Sequence, residues 1–197
     1  MIEGNEIWRK ELSYDVNFEL KLTRILKEKL PINITPIKNN DPYSFDLKIF
    51  EYDMDLKKNV FKGYIEIERA LTWRIIYPWD NYSFLMRKVY EFDEKNKEFI
   101  KEFKEYYDKT VYLRTNYDGT DMFCLDIPTI AKLKVVYQKI FGKERNDWYF
   151  RTGLDDDRVN RGLDNCIMFI NNYLLNNNNN KYNSCVLYQS KLDIKSV

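Results

Sequence analysis

Three acidic residues with the spacing of β-strands are the groups in this sequence best suited to chemistry. Asp46 lies in a stretch that alternates apolar and polar residues, 43–49, and Glu66 and Glu68 lie in a second such stretch, 61–69. Because successive side chains of a strand point to opposite faces, each acid falls on a polar face. If the two strands pair, the three carboxylates converge. Such a cluster suits a divalent cation and the hydrolysis of a phosphodiester.

Several catalytic chemistries are excluded by composition. The 197 residues include no histidine, and the three cysteines, Cys124, Cys166 and Cys185, form no CxxC motif. Ser-His-Asp triads, Cys-His pairs and histidine-ligated zinc sites are therefore excluded within this chain. Carboxylate, lysine, arginine, tyrosine and hydroxyl groups remain. Since carboxylate oxygens prefer hard cations, we expect Mg²⁺ or Mn²⁺ as the cofactor.

Basic residues beside the acids allow two interpretations. Lys48 shares the face of Asp46, and either Lys48 alone or Lys48 with Lys62 can supply positive charge to a scissile phosphate. Glu68 lies roughly 6 to 7 Å along the strand from Glu66, a distance that suits a second metal ion or a general base. The alternative is a solvated strand face, on which Asp46 would pair with Lys62 and Glu66 with Lys48.

The elements that position these residues follow from the spacing of the apolar residues. A long helix is predicted from Ile7 to about Leu30, where Pro31 ends the pattern. The remaining elements are predicted in the following order: a short strand within 32–37, strands at about 44–52 and 60–69, an ambiguous strand at 82–92, a charged helix at 94–108, a hairpin formed by 110–116 and 121–127, a helix opened by Pro128, a short strand at 148–150, and a helix from about Val159 to Leu175. This order predicts one α/β (α+β) domain with a central mixed β-sheet flanked by helices.

The leading helix, the paired strands and their acids resemble the PD-(D/E)XK nuclease superfamily, which includes restriction endonucleases and has an αβββαβ core. The resemblance covers roughly residues 15–70. It assigns Asp46 and Glu66 to the metal-binding acids of the family, adds Glu19 from the leading helix, and puts Glu68 where lysine is usual, as in a Glu-x-Glu variant. It implies a metal-dependent endonuclease that cleaves DNA, with Asp46, Glu66 and Glu68 as catalytic residues; the charge argument above adds Lys48 as a further catalytic residue. A homodimer would suit cleavage of both strands.

Contacts to nucleic acid are expected from local basic residues, because a net charge of +1 gives no global attraction to a polyanion. The candidates are Arg87, Lys88, Lys132, Lys139 and Lys143, and nearby Tyr82, Tyr90 or Trp148 could stack on bases. The alternative is that the lysines form the solvated face of a helix and the aromatic residues belong to the core.

The chain is expected to divide into a domain at 1–175, an Asn-rich low-complexity loop at 176–183 and a C-terminal segment at 184–197. It contains no signal segment and no apolar run long enough to cross a bilayer, so we expect a soluble intracellular protein, cytoplasmic or nuclear, without a membrane partner. Its many Lys, Ile, Tyr and Asn residues suggest an A/T-rich genome. A catalytically inactive nuclease-fold module that binds nucleic acid or protein, and an unrelated α/β interaction scaffold, are the alternatives to a nuclease.

Overall fold

The computed structural model describes residues 17–38, 45–85, 108–141 and 149–175. The predicted helix at 94–108 lies outside these ranges except for its last residue. The Asn-rich segment 176–183 and the C-terminal segment 184–197 also lie outside them.

Eight strands are present in the described ranges: β1 Ile34–Lys38, β2 Leu47–Asp53, β3 Lys58–Arg69, β4 Asn81–Leu85, β5 Thr110–Thr115, β6 Met122–Asp126, β7 Tyr149–Gly153 and β8 Asn160–Arg161. Six of them form one sheet in the order β1-β2-β3-β5-β6-β8, and β4 pairs with β7 in a separate two-stranded sheet. β3 and β5 run parallel, whereas the other neighbours in the large sheet are antiparallel. The large sheet is therefore mixed.

Helices cover one face of this sheet with an apolar stripe. The first helix, α1, is described over 17–29, and its buried residues Phe18, Leu22 and Leu26 recur every four positions, which places them on one side. The third helix, α3 (Leu163–Ile170), continues into a π-helical turn at Asn171–Leu175. Apolar residues of both helices and of β2, β3, β5 and β6 form one core cluster.

The opposite face of the sheet is also covered. The second helix, α2 (Ile127–Phe141), and β4 contribute to a second core cluster that contains Trp73, Phe84, Tyr112 and Phe123. The central strands are consequently buried on both faces, and all six residues of β5 and all five of β6 are buried. Polar side chains on these strands lie inside the domain and need partners there.

The predicted class, a mixed α+β domain with a central mixed sheet flanked by helices, is confirmed. Strands β2 and β3 and the β5–β6 hairpin lie close to their predicted positions. The helix predicted from Val159 is wrong at its start, because Asn160 and Arg161 pair with β6 as strand β8. Gly162 then adopts a left-handed φ of 85°, and the helix begins at Leu163. No helix in the described ranges is long and apolar enough to cross a bilayer.

We expect Asp126, which precedes α2, to make the stability of the domain depend on pH. Its Oδ1 accepts a hydrogen bond of 2.8 Å from the Thr129 N–H, the usual bond of an N-cap. Burial raises the pKa of Asp126, although the hydrogen bonds from Thr129 and the charge of Lys132 oppose that shift. When a carboxyl has a higher pKa in the folded state than in the unfolded state, the free energy of unfolding of the protein falls as pH rises through the folded pKa.

The variant Asp126→Asn keeps the capping oxygen and removes the charge. Its free energy of unfolding, measured by urea denaturation, should therefore increase relative to that of the parent as pH rises toward neutrality. Asp126→Ala removes the cap and should cost about 1 kcal/mol. A difference between Asp126→Asn and the parent that is the same at every pH would contradict this role for the charge.

Candidate active site

The Asp46 carboxylate is attached to β3 by a hydrogen bond. The ladder between β2 and β3 begins with Leu47 opposite Ile65, so Asp46 lies just outside it. Two residues further along β3, the Ile67 N–H donates a hydrogen bond of 2.7 Å to Asp46 Oδ2. The Asp46 side chain thus accepts the hydrogen bond that a main-chain carbonyl of β2 would accept if the strand continued. The bond holds Asp46 beside the segment of β3 that carries both glutamates.

Glu66 and Glu68 share a face of β3 and are buried. Their side chains are only 5% and 8% exposed, respectively, so the alternative of a solvated strand face is wrong for these two residues. In the neighbouring strand β5, Tyr112 lies opposite Glu66 and Arg114 lies opposite Glu68. Two acids inside a domain are costly unless charges or hydrogen bonds compensate them.

Arg114 supplies such a charge, and the sequence interpretation missed it. Its Nε lies 3.5 Å from Glu68 Oε1, and the two side chains are 6% and 8% exposed, respectively. Its Nη1 donates to the carbonyl oxygen of Ser83 at 2.6 Å and to Ser83 Oγ at 2.5 Å. The guanidinium also lies 5.2 Å from the centroid of the Trp79 ring. A single arginine within the apolar stretch of β5 was the feature that could have drawn attention to it.

The two lysines considered beside the acids have different surroundings. Lys48 lies opposite Tyr64 in the β2–β3 ladder, which puts it on the face of Glu66 and Glu68, and it is half-buried. Lys62 forms an ion pair of 2.8 Å with Glu51 across the same two strands. The cross-strand pair of Lys62 is therefore with Glu51 and not with Asp46. Lys48 is the better placed of the two to act near the acids.

Glu19, the acid considered on the first helix, forms an ion pair. Its Oε2 lies 2.7 Å from Nζ of Lys38, at the end of β1. No group of three or more Cys, Asp and Glu side chains that could hold a metal ion occurs in the described part of the chain.

Four of the five predicted contacts to nucleic acid lie wholly or partly outside the described residues. Arg87, Lys88 and Lys143 lie outside the described residues, and so does the side chain of Lys139. Lys132 is exposed on α2. Among the predicted stacking residues, Tyr90 and Trp148 lie outside the described ranges. Tyr82 is only 3% exposed and packs on Phe123 with a centroid distance of 4.8 Å, so it belongs to the core.

Comparisons with known proteins add little to this geometry. No protein-family model matches the chain, and no curated protein is similar to it. A solved structure of a nuclease from a fusselovirus is similar with a TM-score of 0.39 and 12% sequence identity, over 88% of this chain and 94% of the viral one. At that TM-score, the function has to be argued from the residues of this chain.

Proposed function

We propose that the protein is a metal-dependent endonuclease that hydrolyses phosphodiester bonds in DNA. The observation that carries this proposal is the hydrogen bond from the Ile67 N–H to Asp46 Oδ2. It brings an acid from the start of β2 to the part of β3 that carries Glu66 and Glu68. The bond fixes Asp46 on the strand beside Glu66 and Glu68, and a catalytic centre needs its side chains held in place in this way.

The chemistry of these donors fits a magnesium ion. Mg²⁺ keeps several of its waters and is commonly bound through one or two carboxylates together with phosphate oxygens of the substrate. Asp46 and Glu66 would provide those carboxylates, so a group of three acids is not required. When bound, such an ion lowers the pKa of a water and stabilises charge on the scissile phosphate.

The other residues of the site would act on water and phosphate. Glu68, oriented by Arg114, would accept a proton from the attacking water as a general base. Lys48 would place a positive charge beside the phosphate oxygens. The resemblance to the PD-(D/E)XK superfamily supports these roles, because α1 is followed by β1, β2 and β3 with Asp46 and the Glu-x-Glu pair at the corresponding positions.

A second function is favoured by the same contacts. Asp46 completes a hydrogen bond of the main chain, and Glu68 belongs to a buried ion pair with Arg114. Both contacts stabilise a fold whether or not the acids react. A nuclease-like module that binds nucleic acid or protein without cutting would keep them.

Incubation of the purified protein with supercoiled plasmid separates these two functions. The proposed endonuclease should convert the plasmid to nicked or linear DNA in Mg²⁺ or Mn²⁺ and leave it intact in EDTA. A parallel reaction with RNA tests whether the substrate is DNA. Retarded migration of DNA without any conversion, in either metal, would favour the binding module and overturn the proposed activity.

A further inference from the structure

One lysine of α2 is buried. Lys134 is only 8% exposed, and lysine side chains are almost never buried unless an anion pairs with them. It follows Ile127, Ile130 and Ala131 at the spacing of one helix face, and those three residues belong to the second core cluster. Lys132, two positions earlier, is exposed. Lys134 therefore lies on the side of α2 that packs against the sheet.

The face of the sheet on this side carries Glu66. Neighbours in a strand ladder point to the same face, so Glu66 shares a face with Tyr112, which lies opposite it on β5. Tyr112 belongs to the second core cluster, and α2 contacts β5. The residues beside Glu66 along β3, Ile65 and Ile67, belong to the first core cluster on the other face. Lys134 and Glu66 thus enter one layer, Lys134 from the helix and Glu66 from the sheet.

The buried charges of this layer are equal in number. Five charged residues are buried in the described ranges, namely Glu66, Glu68, Arg114, Asp126 and Lys134. Asp126 lies opposite Val111, which belongs to the first core cluster, so Asp126 is on the other face of the sheet. Two buried acids and two buried cations are left between α2 and the sheet.

Compensation of charge decides where the Lys134 ammonium lies. A buried ion is costly unless an opposite charge lies beside it. Arg114 forms an ion pair with Glu68. The half-buried pair Asp46 and Lys48, on the same face of β2, adds one acid and one cation and leaves the balance unchanged. The second buried cation, Lys134, then matches the second buried acid of β3.

We infer that the Lys134 ammonium is the internal counter-ion of the Glu66 carboxylate and a positioning residue of the site. It holds Glu66 in place in the metal-free protein and opposes the binding of another cation to that carboxylate. The lysine stem is flexible, so the ammonium can turn away while its methylene groups stay packed. The competition with a metal ion rests on the proposed function, whereas the ion pair itself does not.

A double-mutant cycle in EDTA tests the ion pair without any metal. Lys134→Met keeps an apolar stem and should lower the melting temperature by about 5 °C, because it takes the ammonium away from a buried carboxylate. In the Glu66→Gln background, the same change should lower it by roughly half as much or less, since the amide carries no charge. Circular dichroism during heating measures both shifts.

Equal shifts in the two backgrounds would overturn the ion pair. If Lys134→Met does not fold, recovery of folding in the double variant with Glu66→Gln would support the pair, and loss of folding in both would overturn it. Lys134→Arg keeps the charge and should lie closer to the parent than Lys134→Met.

Binding of Mn²⁺, followed by the electron paramagnetic resonance signal of the free ion, tests the competition. Lys134→Met should bind Mn²⁺ about tenfold more tightly than the parent, because it removes a positive charge that repels the ion. A role of Lys134 in packing alone would leave the affinity unchanged or weaken it. Mn²⁺ should also raise the melting temperature of Lys134→Met more than that of the parent.

Lys132→Met is the matched control for both measurements. It removes one positive charge from the same helix, at an exposed position. Its shift in melting temperature should be the same with and without Glu66→Gln, and its affinity for Mn²⁺ should equal that of the parent. Tighter Mn²⁺ binding of equal size in Lys132→Met and Lys134→Met would overturn the specific role of Lys134.

The outcomes separate this inference from the proposed activity. A coupled cycle in a protein that binds no Mn²⁺ would support the ion pair and overturn only the metal-dependent activity. An additive cycle in a protein that binds Mn²⁺ and cuts DNA would overturn the ion pair and leave the activity standing. Unchanged or weaker Mn²⁺ binding in Lys134→Met would overturn the competition with the metal.

Discussion

Glu66→Gln should reduce metal-dependent cleavage of plasmid DNA by about 100-fold or more while the domain stays folded. Gln has almost the volume of Glu, so the replacement fits the buried position, where Glu66 is 5% exposed. Its neutral amide oxygen is a much poorer ligand for a hard cation than a carboxylate. The initial rate of nicking, measured across Mg²⁺ concentrations, gives the size of the loss.

Glu51→Gln provides the control for this variant. Glu51 lies on β2, pairs with Lys62 and is partly exposed, with 31% of its side chain accessible. The replacement Glu51→Gln changes the same chemical group in the same hairpin, away from Asp46. Cleavage should be unaffected, and the urea midpoint should move little because partly exposed ion pairs contribute about 1 kcal/mol or less. Parental rates in Glu66→Gln would show that the catalytic assignment is wrong.

Arg114→Met should destabilise the domain by about 3 to 5 kcal/mol, the largest loss of stability that we expect from a single change. The variant keeps an apolar side chain in the space of Arg114 but takes the guanidinium away from the buried Glu68 carboxylate. It also removes the Nη1 bonds to Ser83. Urea denaturation followed by circular dichroism measures the change in the free energy of unfolding.

A double-mutant cycle identifies the cause of that loss. If the loss of the ion pair dominates, Glu68→Gln combined with Arg114→Met should be more stable than Arg114→Met alone, because the second change removes the buried charge that has lost its guanidinium. The double variant should still be less stable than the parent, since Ser83 has lost its donor. Simple additivity of the two single changes would mean that Glu68 and Arg114 are not coupled.

The elements with a clear periodicity of apolar residues could be predicted from the sequence. Alternation along 44–52 and 60–69 predicted β2 and β3, because one face of each strand had to be apolar. The same alternation placed Glu66 and Glu68 on one face of β3. The apolar spacing that ends at Pro31 predicted α1, which buries Phe18, Leu22 and Leu26.

The surroundings of the acids could not be predicted in this way. Whether a polar strand face is solvated depends on what packs over it, and the second core cluster includes residues from as far apart as Ala70 and Val159. The contact between Glu68 and Arg114 depends on the parallel register of β3 and β5, which no local pattern specifies. Strand β8 has only two residues, too few to show a period.

The parallel pairing of β3 and β5 also has a consequence for how the chain folds. β1, β2 and β3 follow one another as antiparallel neighbours, so they can assemble from contacts close in sequence. β5 can join them only after residues 70–109 close a loop, at an entropic cost of about 3 kcal/mol plus a constant. Until then, Glu66 and Glu68 remain hydrated and Arg114 has not reached Glu68. Burial of the two glutamates beside Arg114 therefore requires the β3–β5 pairing, and that pairing depends on closure of this long loop.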